Sequence, residues 1–502
     1  MRAGRERTAR QRLRLAVSLL LVSVMAAGCA GDRLIGTGGR TPEQDMPRPL
    51  PGDAQLRVQS ATLKLAELGR VMGTPAAIPV PKPELLIGVE TIDGAMSLSG
   101  VIARALNSVP EARIGEVQLN QERARADAAR QAMGPQITLE GSTAVRSSDG
   151  LSGLSPGAEA SELSVALRQP LFNLSLLHDV ELRENDVETA EISRRNIRSL
   201  TALDIATAYL SVVQSALIVR FAEGHEEELD ALLAIVGERV DAGGASPANR
   251  ERVRARIETV RASISDIRAG LTENISEFTR KTGFIPDTLR VPATLGNRLP
   301  ASITAAFEHA MEANNEIALS RIQLDRALLE ERRTELKRHP VVNLELSHTI
   351  EDGLSATGGT QDQTEVGLNF NMTLFRNGQL DSERRLNAAR NEEYELRLTQ
   401  ARRQLSRNLR NVYALLGSIH EQYGATVERL RASEAVVAAF EEQFLATDPN
   451  TLEVLEAYQT LYEARVEMTN LAVTEAVTLL QAKHLLGDLL AEFDTAKRAD
   501  GK

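Results

Sequence analysis

The chain has one cysteine, no tryptophan and 3% aromatic residues over 502 positions. A single cysteine excludes a disulfide framework and a multi-thiolate metal centre. The shortage of Phe, Tyr and Trp argues against several compact globular cores, since these residues supply much of the buried area there. Excess positive charge is also missing: 58 Lys and Arg face 69 Asp and Glu, a formal charge of −11. That balance disfavours nucleic acid, which rewards a basic patch. No apolar run reaches about 18 residues, so no helical membrane span is expected. Catalytic signatures are lacking too. His178, His225, His309, His339, His348, His420 and His484 are scattered without metal-ligand spacing, and there is no nucleophile elbow or Walker loop. No enzymatic activity, metal or cofactor is expected. Glu, Arg, Ala and Leu dominate instead, the bias of long helices.

Residues 1–28 carry Arg2, Arg5, Arg7, Arg10, Arg12 and Arg14, then an apolar run from Leu15 to Ala27. That run has the length of a signal-peptide core. Ala26-Ala27-Gly28-Cys29 resembles a bacterial lipobox, with Ala26 where the family pattern favours Leu. The resemblance implies cleavage before Cys29 and a covalent lipid on its thiol. Ala30, rather than Asp, implies the outer membrane as destination, facing the periplasm. Removing residues 1–28 takes away six Arg and one Glu, so the charge moves from −11 to about −16. Residues 29–95 hold eight prolines (Pro42, Pro47, Pro49, Pro51, Pro75, Pro79, Pro81 and Pro83) and read as an extended arm, with at most a short helix near Ala61–Val71.

The remainder is written twice. Gly134-Pro135-Gln136-Ile137 is echoed by His339-Pro340-Val341-Val342, and Pro170-Leu171-Phe172-Asn173 by Thr373-Leu374-Phe375-Arg376. Tyr209 is echoed by Tyr413. A period of this size marks one large duplicated unit rather than a solenoid. The first repeat is placed at 96–283, a linker at 284–300, the second repeat at 301–490 and a tail at 491–502. Strands are expected near 136–148, 160–172, 341–351 and 363–375. Each alternates strictly: Ile137, Leu139 and Val145 oppose Gln136, Thr138 and Glu140, and Val366, Leu368 and Phe370 oppose Glu365, Gly367 and Asn369. Period two over about ten residues fits a transmembrane β-strand. A half-buried soluble sheet produces the same pattern.

Proline is absent from 174–242 and 377–446, each read as one helix about 105 Å long. In the second, Leu405, Val412, Ile419, Thr426, Ser433 and Phe440 form one row and Leu409, Leu416, Tyr423, Leu430, Val437 and Phe444 the next. This seven-residue spacing implies left-handed supercoiling. Tips follow at 243–247 and 447–451, and shorter helices return over about 247–281 and 451–489. Helices near 110–133 and 316–338 precede the strands.

This duplicated order, the Leu-Phe step after each hairpin and the segment Thr451–Tyr462 resemble the TolC-type outer-membrane factor family. The fold implied is mainly α with membrane β: long coiled-coil helices and two β-hairpins per chain, three chains making a 12-stranded barrel that continues into a periplasmic α-helical barrel. The activity implied is a passive channel of a tripartite efflux pump or type I secretion system. It would serve a periplasmic adaptor and an inner-membrane pump, with outer-membrane lipid around it. Four strands cannot close alone, because barrels with an interior need about eight or more and open edges are not tolerated in lipid. The resemblance implies a periplasmic aperture at Glu453 and Glu456, whose carboxylates would favour cations. It implies adaptor contact at Gly243, Gly244, Ala245, Ser246, Thr447, Asp448, Pro449 and Asn450, and a barrel rim at Phe172 and Phe375. Phe444 and Pro449 stand where the family often carries closure contacts through Tyr and Arg. The alternative expectation is a periplasmic coiled-coil adaptor or scaffold lipoprotein.

Overall fold

A computed structural model describes residues 76–81, 90–146, 158–292, 299–352, 360–446 and 450–493. The signal segment, Cys29, the 61–71 helix, Thr447, Asp448, Pro449 and the tail beyond 493 lie outside them, as does the side chain of Phe444. The first repeat runs α1 (Leu98–Ser108), α2 (Pro110–Gln131), β3 (Gln136–Arg146), β4 (Ala158–Phe172), α3 (Leu174–Asp241) and α4 (Pro247–Thr282). The second runs α5 (Ile303–Ala313), α6 (Asn315–Leu336), β6 (Val341–Asp352), β7 (Thr360–Asn371), α7 (Gln379–Ala446) and α8 (Thr451–Leu486). Helix lengths of 11, 22, 68 and 36 residues recur in the same order in both repeats.

Local chemistry sets these boundaries. Asn173, Ser246, Ser302 and Asn450 cap helix N-termini through their side chains, and Pro110 and Pro247 open α2 and α4 where no N–H is needed. Asn314 does more: its Oδ1 accepts from the Glu316 and Ile317 amides, while its Nδ2 donates to the Leu485 carbonyl at 2.7 Å. Gly283 and Gly487 end α4 and α8 in left-handed conformations.

The heptad rows of α7 are its buried seam. Leu405, Leu409, Val412, Leu416, Ile419, Leu430 and Val437 are buried. Thr426 and Ser433 are buried in the same rows because their hydroxyls bond the carbonyls of Gln422 and Arg429, one turn back. The middle of α3 reaches a mean hydropathy of 1.6, apolar enough to cross a membrane by composition. Its Tyr209, Leu210, Val213 and Leu217 are instead core residues packed with α1, α4 and α8.

The 284–300 segment is more than a linker, and the 29–95 arm is not wholly irregular. A three-stranded sheet of order β1-β5-β2 joins β1 (Ala77–Pro79) and β2 (Glu90–Met96) to the two sides of β5 (Phe284–Arg290). Pro286, which has no N–H to give, stands where the β2 register shifts between Ile92 and Ala95. That interruption and the 200-residue gap to its partners hid β5 from pattern reading. The duplicated tyrosines anchor the long helices here, Tyr209 to the sheet and Tyr413 to the segment before α5. Tyr209 reaches the carbonyls of Met96 and Arg290, and Tyr413 donates to the Pro300 carbonyl at 2.9 Å. Burial pushes the Tyr413 hydroxyl up to about 12, so it stays a neutral donor.

The second sheet has four antiparallel strands in the order β3-β4-β6-β7. The registers of its two hairpins match: Gln136 pairs with Arg168 in the first, and the duplicated Val341 with Asn371 in the second. β7 stops at Asn371, short of the expected 375, whereas β4 continues to Phe172. The difference is physical. Phe172 has Val342 of β6 beside it, and β7 lies at an edge with no strand beyond it among the described residues.

Candidate functional site: the four-stranded sheet and the helical tips

Alternation gives the sheet two unlike faces. On one lie Ile137, Leu139, Leu163, Val165, Leu346, Ile350, Val366, Leu368 and Phe370, all exposed. At the edges Ile137 is 70% and Val366 69% exposed. Such a contiguous apolar face fits contact with lipid, not water. His348 interrupts it and bonds Thr364 Oγ1 through Nδ1 at 2.9 Å. On the other face the register aligns Gln136, Arg168, Glu345 and Gly367 in one row, and Ser142, Glu162, Glu351 and Gln361 in another. Arg168 Nε lies 3.5 Å from Glu345 Oε1. This face is polar and carries more carboxylates than cations, as an aqueous lumen allows.

Phe172 ends β4 and Phe375 follows β7, where the chain runs toward the helices, 43% and 81% exposed. They occupy equivalent places at one end of the apolar face. That end is where a girdle of interfacial aromatics belongs.

Far from the sheet, α3 turns into α4 within five residues. Gly243 adopts φ +76°, and the Gly243 and Gly244 amides bond the carbonyls of Val240 and Arg239. A side chain at Gly243 would strain this turn. Gly243, Gly244 and Ser246 are exposed and Ala245 is half-buried. Ser246 is also the α4 cap, so part of this predicted contact segment is structural. Arg250 ties the turn to Asp241 at 3.3 Å. At the second tip, Asn450 caps α8 and its Nδ2 donates to Glu453 Oε1 at 3.1 Å. Glu453 therefore serves the helix start. Glu456, one turn on and exposed, lines a cavity of about 730 Å³ facing Arg252 and Arg256 of α4. The two glutamates share a side of α8 but differ in partners. Arg252 and Arg256 escaped the sequence reading because their i, i+4 spacing is that of any solvated helix face.

Polar links hold α8 against its neighbours above this tip. Arg465 Nη1 donates to Glu228 of α3 at 3.0 Å, and the Tyr458 hydroxyl to Glu441 of α7 at 3.2 Å. Burial pushes the Glu228 carboxyl up, but His225 and Arg465 outweigh it and hold the group below the usual carboxylate value. The His225 ring stacks on Tyr462 with centroids 5.2 Å apart. His225 is thus a buried packing residue rather than part of a solvated acidic face.

A two-faced sheet at one end, 68-residue helices and turns at the other is the architecture of a membrane duct. A profile of the outer membrane efflux protein family matches residues 101–283 and 306–487, one segment in each repeat. The chain belongs to this family. The outer membrane protein TolC of Salmonella enteritidis is 23% identical over 425 residues, covering 80% of this chain and 84% of that protein. Among solved structures, CusC superposes with a TM-score of 0.68 at 17% identity, over 82% of this chain and 97% of that one. The open state of the Neisseria gonorrhoeae MtrE outer membrane channel gives 0.67 at 15% identity, over 87% and 95%. This outer membrane efflux protein is therefore a channel of the outer membrane extending into the periplasm. The adaptor or scaffold alternative falls, since the matched family is that of the channel itself.

Proposed function

We propose that three copies of this efflux protein close into one 12-stranded barrel. The assembly is a passive conduit from a periplasmic adaptor and an inner-membrane pump to the exterior, and the pump supplies the energy. The observation that carries this reading is the unpaired state of β3 and β7 at the two sheet edges. Open edges are not tolerated in lipid, so each must find a strand on another copy.

The duplication specifies how. Within the chain, β4 pairs with β6 so that Arg168 meets Glu345, Gln169 meets Leu344 and Phe172 meets Val342. β7 is the repeat of β4, and β3 is the repeat of β6. The same register carried between copies sets Asn371 against Glu140, Met372 against Leu139 and Phe375 against Ile137 of the next copy. These three pairs between copies keep polar with polar and apolar with apolar. Leu386, Leu396 and Leu415 on α7, and Ile114 and Val117 on α2, are exposed in the single chain and would be covered by the same closure.

Disulfide trapping tests the arrangement. Glu140→Cys with Asn371→Cys should cross-link copies into dimers and closed trimers on non-reducing gels. Glu140→Cys with Met372→Cys, whose side chains face opposite sides, should not. No cross-link from the first pair, or equal yield from the second, would refute the register.

Contact of the 243–246 turn and the 447–450 segment with an adaptor, the aperture at Glu453 and Glu456, and the lipid on Cys29 belong to the same reading. The exposed first turn supports the adaptor contact, and the exposed Glu456 supports the aperture.

A further inference from the structure

The two repeats agree closely, so a place where they part is informative. Between strand and long helix, the first repeat passes from Phe172 through the single cap Asn173 into α3. The second passes from Phe375 through Arg376, Asn377 and Gly378 into α7, two residues longer. Asn377 has φ +45°, the only non-glycine at positive φ among the described residues, and Gly378 follows at +76°. Consecutive left-handed residues turn the chain sharply, and such backbone concentrates at functional sites.

Residue chemistry changes at the same place. Ala132, Met133 and Asn173 of the first repeat correspond to Lys337, Arg338 and Arg376 of the second. These three cations and Met372, Leu374 and Phe375 line one cavity of about 420 Å³, together with the carboxylates of Asp381 and Glu383. Asp381 lies 3.6 Å from Arg384, which stands outside the cavity lining. Lys337 is paired with Glu383 at 2.9 Å. Arg376 donates to the Thr373 hydroxyl at 3.4 Å. Arg376 and Arg338 lie near enough to Glu383 and Glu335 to help lower those carboxyls, but neither forms a close salt bridge among the described residues. Leu374 and Phe375, 86% and 81% exposed, are the most exposed large apolar side chains described.

We propose that this cavity binds one anionic phospholipid of the inner leaflet. Its phosphate is held by Arg338 and Arg376, and an acyl chain lies along Met372, Leu374 and Phe375. The assignment rests on the barrel reading above, which sets this end of the apolar face at the periplasmic membrane surface. There a cation pair over an apolar wall is complementary to a phosphodiester with its chain, and basic pockets at that depth recognise acidic head groups. Trimer closure leaves the wall open. Leu171 and Phe172 already have β6 beside them and remain 56% and 43% exposed, so Leu374 and Phe375 keep their outward face once a strand of the next copy arrives.

Native mass spectrometry tests the site on the full-length trimer, reconstituted in nanodiscs of equal phosphatidylglycerol and phosphatidylethanolamine and then released. The wild type should retain phosphatidylglycerol over phosphatidylethanolamine by roughly fivefold or more, one per chain. Arg338→Gln with Arg376→Gln should bring the ratio close to one. Arg280→Gln with Arg431→Gln, on exposed helix faces away from the sheet, should leave it unchanged. Equal retention of both lipids by the wild type, or an undiminished ratio in the Arg338/Arg376 variant, would overturn the proposal. Conductance and gel mobility of the trimer separate the two readings: conducting trimers without lipid preference remove this site alone, and failure to form trimers removes both.

Discussion

At the scale of single residues, the two copies use chemically matched anchors in different company. Tyr209 and Tyr413 sit at equivalent positions of α3 and α7, Tyr209 bonding the carbonyls that end β2 and β5 and Tyr413 the loop carbonyl of Pro300. Histidines show how little a sequence position says about a ring's surroundings. His484 on α8 accepts or donates with Ser199 Oγ of α3 at 2.8 Å. Burial lowers its pKa below the ordinary 6.5, and the nearby Glu316 and Asp204 only partly offset this. The unfolded chain therefore binds the proton more readily than the folded one. Stability from this group is present above about pH 6.5 and is lost as pH falls through the lowered folded value. Melting of wild type should thus decline between pH 7 and 5, and His484→Gln should be flatter there. Identical pH profiles would exclude the effect. Glu116, Glu335 and Glu383 act in a separate window. Hydrogen bonds from Arg194, Arg384 and Lys337 hold their carboxyls below 4.5, so their contribution fades only as pH falls below that value.

At the scale of elements, helix ends are where substitution is least forgiving. Gly487 closes α8 at φ +84°, and a Cβ there would stand within 2.7 Å of the Ala313 carbonyl carbon at the end of α5. Gly487→Ala adds a disfavoured backbone conformation to a clash with backbone that cannot swing away. The expected loss is at least about 2 kcal/mol. It would be read as a lower melting midpoint by circular dichroism at 222 nm, with Gly270→Ala on the open α4 surface as the control that should hold or raise the midpoint. An unchanged midpoint would mean that the α5–α8 junction yields. The inter-helix ion pairs matter differently. Arg130–Glu184, Arg333–Asp179 and Arg384–Glu335 are largely exposed, so they select which helices lie side by side more than they stabilise the contact.

At the scale of the whole molecule, the incomplete sheet and the half-covered α7 are what the proposed trimer would complete, each chain supplying a third of the wall. Its passage should be selective where the wall narrows. Replacing Glu453 and Glu456 together with Ala should reduce cation preference and weaken block by divalent cations in planar bilayers, since six carboxylates per trimer are removed. Unchanged ion selectivity would move the constriction elsewhere. Arg252 and Arg256, which face Glu456 within one chain, are the cations against which any such aperture is set.

Much of this was legible in the amino-acid order because duplication and periodicity are local. Period two marks the strands and period seven the α7 seam. Ser, Asn, Pro and Gly at helix ends place boundaries within a few residues. Four features were decided only in three dimensions. β5 needs partners about 200 residues away, and Pro286 breaks its pattern. β7 loses its last residues for want of a neighbour. Glu453 is drawn into a cap, and Arg252 and Arg256 come to face Glu456. Local propensity specifies which elements form; which side chains meet depends on contacts between distant segments, and those exist only once the chain has packed.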